Sequence, residues 1–441
     1  MSKTEQKSED VMDALVALCK RRGFIFQGSE IYGGLAGTWD YGPYGLTLKE
    51  NIKKLWWQRF VLDREDMYGM DAAILMNQRT WEASGHVSGF SDPLVECAEC
   101  KHQFRADQLD DPHKCPDCGG KVGKARQFNM MFKTHVGAGE DTASVSYLRP
   151  ETAQGMFVNF KNIIDSFHPK LPFGLAQIGK AFRNEIAPRD FLFRIREFEQ
   201  MEVEYFIRPE EWEKQFDHWE KIRMGWCLEI GLPREKIHIR EHKKEELSHY
   251  SKRTTDIEFD YPFGRKELYG LAYRTDFDLK RHSEWSKVDL SYYDEEKKER
   301  FIPHVIEPSV GVDRSVLAVL SSAYTEDEMG GEKRVFLKLV PAVAPVKVAV
   351  FPLLKNKPKL VKKAREIYAT LKNEFGAVEF DDNGNIGKRY RRQDEIGTPF
   401  CVTVDFETIE KDAGVTVRDR DTGKQERMAI ANLAKHLKSK I

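Results

Sequence analysis

Arginine and carboxylate residues alternate along two apolar stretches of the sequence, LRPETAQGMFVNF (148–160) and FRNEIAPRDFLFRIREFEQMEVEYF (182–206). Burying so many charges costs free energy unless each charge has a partner. A site that holds both a polyphosphate and an ammonium group would supply such partners. The residues concerned are Arg149, Glu151, Arg183, Glu185, Arg194, Arg196, Glu197, Glu199, Glu202 and Glu204.

Three strings in this order resemble the signature motifs of one family, the class II aminoacyl-tRNA synthetases, in its glycine-specific homodimeric form. They are RPETAQG (149–155), FRNE with the strand-like segment after it (182–206), and EPSVGVDR (307–314). The resemblance extends from about Gly23 to Arg427. It implies an ATP-dependent ligase that forms a glycyl-adenylate and attaches glycine to tRNA(Gly), with release of AMP and pyrophosphate.

By this resemblance, Arg183, Glu185 and Arg314 are the catalytic residues. A carboxylate that attacks the α-phosphate of ATP must approach an anionic centre, so catalysis consists mainly of positioning and charge neutralisation. The planar fork of Arg183 suits bidentate contact with the α-phosphate and the substrate carboxylate. Glu185 would accept from the adenine amino group.

The adenine ring and the terminal phosphates are expected to contact further residues of the same motifs. Phe198 would cover one face of the adenine, and Arg314 the other while it reaches the γ-phosphate. Arg194 or Arg196 would bind the terminal phosphates. The complete set of expected ATP-binding residues is Arg183, Asn184, Glu185, Phe193, Arg194, Ile195, Arg196, Glu197, Phe198, Glu267, Leu268, Gly311, Val312, Asp313 and Arg314.

Magnesium is the expected cofactor of the ATP substrate, because it takes oxygen ligands and keeps several waters. Glu267 with Glu307 or a water shell is the predicted ligand set. The alternative is that Glu267 is merely paired with Arg274 or Arg265.

Glycine offers only an ammonium, a carboxylate and two α-hydrogens, so its recognition requires carboxylates around the ammonium. The resemblance assigns this role to Glu151, Glu202, Glu307 and Ser309; an exposed acidic strand face is the alternative for Glu202. The expected glycine-binding residues are Arg105, Glu151, Phe198, Glu199, Gln200, Met201, Glu202, Glu307, Pro308, Ser309, Val310 and Gly311.

Two Cys-x-x-Cys pairs, Cys97–Cys100 and Cys115–Cys118, are separated by fourteen residues. Four thiolates from two such turns are typical of a tetrahedral zinc site. Since all four ligands would come from protein, the zinc is predicted to be structural. Disulfides or a redox pair are the alternatives. The remaining cysteines, at 19, 227 and 401, are interpreted as small core residues.

The elements that must position these motifs are predicted from periodicity. TLKENIKKLWWQRFVL (47–62) spaces its apolar residues as a helix does, and DAAILMN (71–77) is predicted to be the next strand. In the resembled family these two elements form the dimer interface. After PAVAP (341–345), strands alternate with helices, which indicates a small α/β domain. There, Lys388–Arg392 combine four cations with a tyrosine and suggest a phosphate-and-stacking surface.

The predicted fold is therefore an α+β catalytic domain with an antiparallel sheet (1–340), a zinc-ribbon-like insertion (93–126) and a C-terminal α/β anticodon-binding domain (341–441). Residues 341–441 carry a net charge of +6 and the rest of the chain −7, which suits contact between the C-terminal domain and tRNA. No signal peptide or membrane helix is evident, so a cytoplasmic location is expected. The resemblance implies a homodimer.

Two other functions remain open at this stage. A non-catalytic tRNA-binding paralogue should lack some of the ATP-contacting arginines, yet Arg183, Arg194, Arg196 and Arg314 are all present. Another class II specificity, such as threonine, proline, serine or histidine, would require different pocket contacts.

Overall fold

The structure is a computed structural model that describes residues 3–139, 144–411 and 414–441. Its α-helices are α1 (Lys3–Arg22), α2 (Pro43–Trp57), α3 (Gln78–Ala83), α4 (His86–Gly89), α5 (Ala153–Phe167), α6 (Trp212–Glu229), α7 (Phe277–Ser286), α8 (Val312–Ala323), α9 (Pro358–Phe375), α10 (Ile386–Ile396), α11 (Phe406–Glu410) and α12 (Ile430–Lys438). Its strands are β1 (Ile25–Gln27), β2 (Trp39–Tyr41), β3 (Met67–Gly69), β4 (Ser91–Glu96), β5 (Gln103–Arg105), β6 (Arg126–Asn129), β7 (Lys133–His135), β8 (Val145–Tyr147), β9 (Phe173–Phe182), β10 (Glu197–Ile207), β11 (Ile237–Glu241), β12 (Arg253–Tyr261), β13 (Gly264–Thr275), β14 (Tyr292–Asp294), β15 (Glu299–Phe301), β16 (His304–Gly311), β17 (Tyr324–Met329), β18 (Glu332–Leu337), β19 (Val348–Pro352), β20 (Val378–Phe380), β21 (Phe400–Val404), β22 (Val415–Asp419) and β23 (Gln425–Met428).

A seven-stranded sheet with the order β11-β12-β13-β16-β10-β9-β3 carries the three sequence motifs. All its neighbours are antiparallel except β3 and β9, which confirms the predicted antiparallel α+β fold. Side chains alternate between the faces of a strand. Met201, Val203, Tyr205 and Ile207 of β10 therefore face a core built with α1, α2, α6 and α8, while Phe206 faces a second core built with α5.

The strand expected at 71–77 is not formed. The edge strand is β3, two residues earlier, and the following segment makes only an isolated bridge between Leu75 and Leu148. The Ala72 carbonyl instead accepts a hydrogen bond from the Arg149 guanidinium, at 2.6 Å. A side chain from the RPETAQG motif thus takes the place of a neighbouring strand, which periodicity cannot reveal.

A second sheet, with the order β20-β19-β21-β22-β23, forms in the C-terminal region. The alternation of strands and helices predicted after residue 345 is present, with α9 following β19 and a hairpin formed by β22 and β23. This mixed α/β unit has its own core between the sheet and helices α9 and α12. Val343 and Ala344, just before it, pack in the main core. The boundaries drawn at residue 341 and at 93–126 remain predictions.

The prediction of a phosphate-and-stacking surface at Lys388–Arg392 is wrong for Arg389 and Tyr390. Arg389 is buried and donates to the carbonyl groups of Pro352, Asp382 and Gly384. Tyr390 packs against Phe351, and its hydroxyl forms a hydrogen bond with the Thr403 hydroxyl. Helix α10 therefore turns these two side chains inward to hold its own domain together.

Helix α10 also faces the N-terminal part of the chain. Arg22 pairs with Glu395, and the Tyr44 hydroxyl donates to Glu379 beside α10. Arg391 donates to the Lys333 carbonyl at 2.7 Å. These contacts join the C-terminal sheet to the body that carries the seven-stranded sheet. Among the described residues, no helix has both the length and the apolar character that a membrane span needs.

Candidate active site

A cleft of about 320 Å³ lies over strands β10, β13 and β16, beside the loop between β9 and β10. The start of β10, the middle of β13 and the end of β16 supply its base, and the first turn of α8 closes one side. Three of its residues, Met130, Leu192 and Gly270, were not expected from the sequence. The expected residues that line it are Arg105, Arg183, Glu185, Phe193, Arg194, Ile195, Phe198, Glu199, Gln200, Glu267, Leu268, Ser309, Gly311, Asp313 and Arg314.

Arg183 follows the last residue of β9 and lies over the ring of Phe198, 5.3 Å from its centroid. Its Nε donates to the Pro150 carbonyl at 3.1 Å. In the described part of the chain, its two terminal nitrogens make no hydrogen bond and no ion pair with Glu185. The guanidinium is thus oriented by one backbone contact and by two aromatic rings, since it also lies 5.4 Å from the ring centroid of Phe90. Its fork is free to bind an anion.

Glu185 lies in the same cleft, and one of its carboxylate oxygens is buried without a hydrogen-bond partner among the described residues. Its backbone is held firmly, because its carbonyl accepts from Arg196 at 3.0 and 3.2 Å. An acceptor of this kind suits a ligand N–H such as the adenine amino group.

Arg314, in the first turn of α8, stacks on Phe193 at 4.4 Å from the ring centroid. Its Nη1 lies 3.3 Å from a carboxylate oxygen of Glu267. The positive charge of Arg314 lowers the pKa of Glu267. Neither alternative partner of Glu267, Arg274 or Arg265, is its actual partner. The expected arrangement of Phe198 and Arg314 on opposite sides of one ring is compatible with their places in the cleft.

The loop between β9 and β10 divides its arginines between two tasks. Arg194 lines the cleft and, with Arg189, donates to Gln108 at 3.0 and 3.1 Å. Arg196 lies outside it and donates to the carbonyls of Ala36 and Glu185. Of the two candidates for the terminal phosphates, the structure therefore favours Arg194. Arg196 instead connects the segment around Ala36, between β1 and β2, to this loop.

Other expected ATP and glycine ligands also point elsewhere. Met201 and Val310 are buried in the main core, on the opposite side of their strands from Glu202 and Ser309. Val312, the first residue of α8, is buried in the same core. Pro308 is buried in the middle of β16, paired with Leu271 of β13. Side-chain alternation explains these departures, because a contiguous motif on a strand presents only every second residue to a ligand. Glu197 is exposed and pairs with Lys180, and Asn184 contacts Met130 through its backbone N–H.

The Asp313 carboxylate, at the start of α8, connects β2, α2 and β10. It accepts hydrogen bonds from the Tyr41 hydroxyl at 2.6 Å, from Lys49 at 3.0 Å and from the backbone N–H of Glu199 at 2.7 Å. The Glu199 carboxylate in turn pairs with Lys49 and with Lys53. Although both line the cleft, Asp313 and Glu199 are thus engaged in fixing α2, β10 and α8 relative to one another.

A second group of carboxylates lies deeper, behind Gln200 and Ser309. Glu202 accepts from the Thr152 hydroxyl at 2.5 Å and from Gln200 at 3.3 Å. Gln200 also lies 3.5 Å from the Ser309 hydroxyl. Burial, and then the charge of Glu151, raise the pKa of Glu202. An exposed acidic face is therefore excluded for Glu202, which is 1 % exposed.

Glu151 begins the segment that leads into α5. Its carboxylate accepts from Gln154 at 2.9 Å and lies 3.3 Å from Nε2 of His86. Burial acts to raise the pKa of Glu151, but His86, Arg274 and Gln154 together act in the opposite direction, so the net pKa is lowered. Glu151 is therefore held ionised beside the other carboxylates. His86 was not expected from the sequence, since nothing in it links a lone histidine to the RPETAQG motif.

Glu307 pairs with Arg274, whose guanidinium also makes two hydrogen bonds to Asp278 at 2.8 and 2.9 Å. Arg274 is fully buried and stacks on Tyr250. Glu307 lies opposite Ala272 on β13, five residues from Glu267, so ~16 Å of strand separates the two. They cannot share one magnesium ion, and that part of the prediction is wrong. Sequence reasoning considered Arg274 only as a partner of Glu267.

The four clustered cysteines form the second candidate site. The Sγ atoms of Cys97 and Cys118 are 3.5 Å apart, those of Cys100 and Cys115 are 3.7 Å apart, and all four lie within 4.8 Å of one another. A tetrahedron with Zn–S bonds of ~2.3 Å has edges of about 3.8 Å. All seven cysteines are free thiols. The donor set and spacing therefore fit zinc and not disulfides.

The cysteine module also reaches the first site. Arg105, at the end of β5, lines the cleft and pairs with Asp92 and Asp107. Arg105 thus lies at the cleft with its guanidinium already engaged by two carboxylates, and its contact with substrate remains a prediction.

An antiparallel seven-stranded sheet with an arginine-lined cleft and the three motifs around it defines a class II aminoacyl-tRNA synthetase. Residues 132–323 match the family described as "tRNA synthetase class II core domain (G, H, P, S and T)", and residues 347–440 match the "Anticodon binding domain". The chain is 54% identical to the glycine–tRNA ligase of Caldanaerobacter subterraneus subsp. tengcongensis over 98% of both chains. It is 53% identical to that of Geobacillus kaustophilus, over 98% of this chain and 99% of the relative. For Clostridium acetobutylicum the identity is 50%, over 99% and 100%. The chain belongs to the glycine–tRNA ligase family.

Proposed function

We propose that this chain attaches glycine to tRNA(Gly) in two steps at the cleft over β10, β13 and β16. The glycine carboxylate attacks the α-phosphate of ATP and pyrophosphate leaves. A terminal ribose hydroxyl of the tRNA then attacks the carbonyl of the glycyl-adenylate, and AMP leaves. The observation that carries the proposal is the position of Arg183, whose guanidinium fork is free. On one side of it is the cleft that Arg194 and Arg314 line, and on the other side are the carboxylates around Glu202.

Each part of the ATP has a matching group in the cleft. Arg183 would bind the α-phosphate and the glycine carboxylate, Glu185 the adenine amino group, and Arg194 and Arg314 the terminal phosphates. Charge-assisted contacts of this kind are stronger than neutral ones and increase as negative charge develops. A non-catalytic paralogue is disfavoured because these cations are all retained and the cleft is open.

Magnesium would be held near Glu267, whose carboxylate is half-exposed at the edge of the cleft. The ion would neutralise phosphate charge, and its other ligands would be phosphate oxygens and waters. Full exchange activity without any divalent cation would exclude this role.

Glycine selectivity would follow from the space around Glu151, Glu202 and Ser309. Their side chains fill the region where a larger amino acid would place its own side chain, so steric exclusion rejects other substrates. This geometry disfavours threonine, proline, serine or histidine as the substrate.

The overall reaction is tested by charging purified tRNA(Gly) with radiolabelled glycine. Acid-precipitable label that depends on ATP and on tRNA(Gly), and is absent with tRNA for alanine, supports the proposal. Formation of no labelled tRNA, by a protein that binds ATP normally, would contradict it.

We also propose that the anticodon-binding domain contacts tRNA through an exposed lysine run at the start of α9. Lys355, Lys357 and Lys359 are exposed, and no ion pair of theirs occurs within the described ranges. This location replaces the one expected at Lys388–Arg392, where Arg391 and Arg392 are engaged within the chain.

Replacing Lys355, Lys357 and Lys359 by Gln together should raise the KM for tRNA and reduce the salt dependence of binding. Each phosphate contact that is lost lowers the slope of log K against log[salt] by ~0.7–0.9. Glycine-dependent pyrophosphate exchange should be unchanged. Lys435, Lys438 and Lys440, replaced by Gln at the far end of the domain, are the matched control. An unaltered salt slope in the first variant would show that the tRNA contacts lie elsewhere.

Zinc would stabilise the cysteine module and thereby hold Arg105 at the cleft. Because zinc binding by four thiolates is coupled to local folding, Cys100→Ser should release about one metal ion per chain and speed proteolysis within 93–126. Elemental analysis with limited digestion makes this measurement, and Cys227→Ala serves as the control that removes a thiol elsewhere. A native protein with seven titratable thiols and no metal would refute the zinc site.

A cytoplasmic homodimer is the proposed form of the protein. Exposed apolar side chains near α2, with Ile31 at 89 %, Tyr32 at 86 % and Leu46 at 50 % exposure, suit a partner surface. A single-chain mass in sedimentation at micromolar concentration would contradict the dimer.

A further inference from the structure

Glu204 is a buried carboxylate that the roles proposed above do not use. It is 0 % exposed, and among the described residues neither of its oxygens has a hydrogen-bond partner. A buried, ionised carboxylate without donors is very costly, and the common resolution is that the group becomes neutral. Glu204 therefore requires a physical explanation.

The strand register places a second carboxylate directly across from it. Strand β10 pairs Glu202 with Ser309 and Tyr205 with Ile306 of β16, so the same register sets Glu204 opposite Glu307. Like charges that face each other across neighbouring strands are unfavourable. Two such carboxylates must share a proton or have a cation between them.

The guanidinium packed against this pair of carboxylates is already committed. Arg274 of β13 pairs with Glu307 and with Asp278 of α7, and no hydrogen bond to Glu204 is found in the described ranges. Glu202, two residues earlier on β10, adds another negative neighbour. Burial, and then the charge of Glu307, raise the pKa of Glu204 well above its ordinary value.

The spacing of the three carboxylates suits a small cation. Oxygens of Glu202, Glu204 and Glu307 lie within 4.8 Å of one another. A triangle with sides of that length has its centre about 2.8 Å from each corner, which is the length of an N⁺–H···O⁻ hydrogen bond. An ammonium group at the centre could donate to all three.

We propose that Glu204 holds a proton before glycine binds and releases it to solvent when the glycine ammonium enters among Glu202, Glu204 and Glu307. The O–H bond of the Glu204 carboxyl breaks, the proton goes to solvent, and the carboxylate left behind accepts from the ammonium. The positive charge of the ammonium replaces that of the released proton, so the net charge among the three carboxyl groups and the ammonium stays constant. This inference rests on the proposed glycine site.

Proton release can be measured by calorimetry with two ligands that differ only in the ammonium. One is 5′-O-(glycylsulfamoyl)adenosine, and the other has an acetyl group in place of the glycyl group. Binding enthalpies at pH 7 in phosphate and in Tris give the number of protons released. The wild-type protein should release about one proton with the glycyl compound and about none with the acetyl compound.

Glu204→Gln preserves the volume but has no proton to release, so its glycyl complex should form with almost no proton release. Glu197→Gln, an exposed change on the same strand, should release as many protons as wild type. Equal release by wild type and Glu204→Gln would overturn the inference, as would no release by wild type.

The glycine KM provides an independent readout. If binding releases one proton, the KM for glycine should fall by up to tenfold per unit of rising pH, over the range where Glu204 is protonated in the free protein. The KM of Glu204→Gln should vary less with pH. If the wild-type KM is independent of pH between 6 and 8 and exchange activity is normal, the proton release is refuted but the proposed function is not. Loss of glycine-dependent exchange in wild type would instead refute the proposed function.

Discussion

Replacing Arg183 by Lys is expected to lower the rate of glycine-dependent ATP–pyrophosphate exchange by about 10²–10³-fold with both substrates saturating. Lys keeps the positive charge but cannot form two parallel N–H···O contacts. The loss should appear mainly in kcat, because the contact strengthens as charge develops on the α-phosphate. Exchange rates across a grid of glycine and ATP concentrations separate this effect from weaker binding.

The structure supplies a matched control for this variant. Arg189 lies at the tip of the same loop, where its side chain donates to Gln108 and lies 3.5 Å from the carboxylate of its neighbour Asp190. Arg189→Lys should therefore change the exchange rate little. A near-wild-type rate for Arg183→Lys would show that this guanidinium has only a structural role.

Replacing Glu202 by Gln is expected to raise the KM for glycine at least about thirtyfold while the KM for ATP changes little. Removing one partner of a buried charge pair costs ~2–5 kcal/mol, and the lower limit corresponds to this factor. The amide retains the volume of Glu202 and can still accept from Thr152, so the change reports on charge. Initial exchange rates at varied glycine make the measurement.

Glu202→Ala extends the same experiment. It opens space beside Ser309 and Gln200, so weak alanine-dependent exchange should appear together with poor use of glycine. Glu197→Gln on the same strand is the control and should match wild type. Unchanged glycine kinetics in Glu202→Ala would place the ammonium elsewhere.

Much of this site is predictable from the sequence because the motifs are contiguous and their chemistry is distinctive. Arg183, Glu185, Arg194 and Arg314 line one cleft as expected. The cysteine spacing likewise predicts the cluster of four thiols. In each case the residue type itself limits the possible roles, since a buried guanidinium or thiolate set has few favourable environments.

What could not be predicted depends on contacts between distant segments. Met201 and Val310 are within the motifs, yet the pleat turns them toward the core. Arg389 looks like a surface cation in the sequence, but its guanidinium donates hydrogen bonds to three backbone carbonyl groups. The segment 71–77 forms no strand because the Arg149 guanidinium donates to the carbonyl of Ala72. In all these cases, tertiary partners decide the outcome.

The central carboxylates show the same limit. Sequence alternation places Glu202 and Glu204 on one face, but only the register of β10 with β16 sets Glu204 against Glu307. Arg274 is separated from Glu307 by 33 residues and pairs with it across neighbouring strands. Without the sheet order, Arg274 could not be identified as the buried cation paired with Glu307.

ATP–pyrophosphate exchange with glycine in the absence of tRNA is the most direct test of the proposed activity. The purified wild-type chain, supplied with ATP, magnesium and labelled pyrophosphate, should form labelled ATP when glycine is added. Alanine, serine and threonine at the same concentration should support far less exchange. Robust exchange with one of those amino acids in place of glycine, or no exchange with any amino acid, would contradict the account.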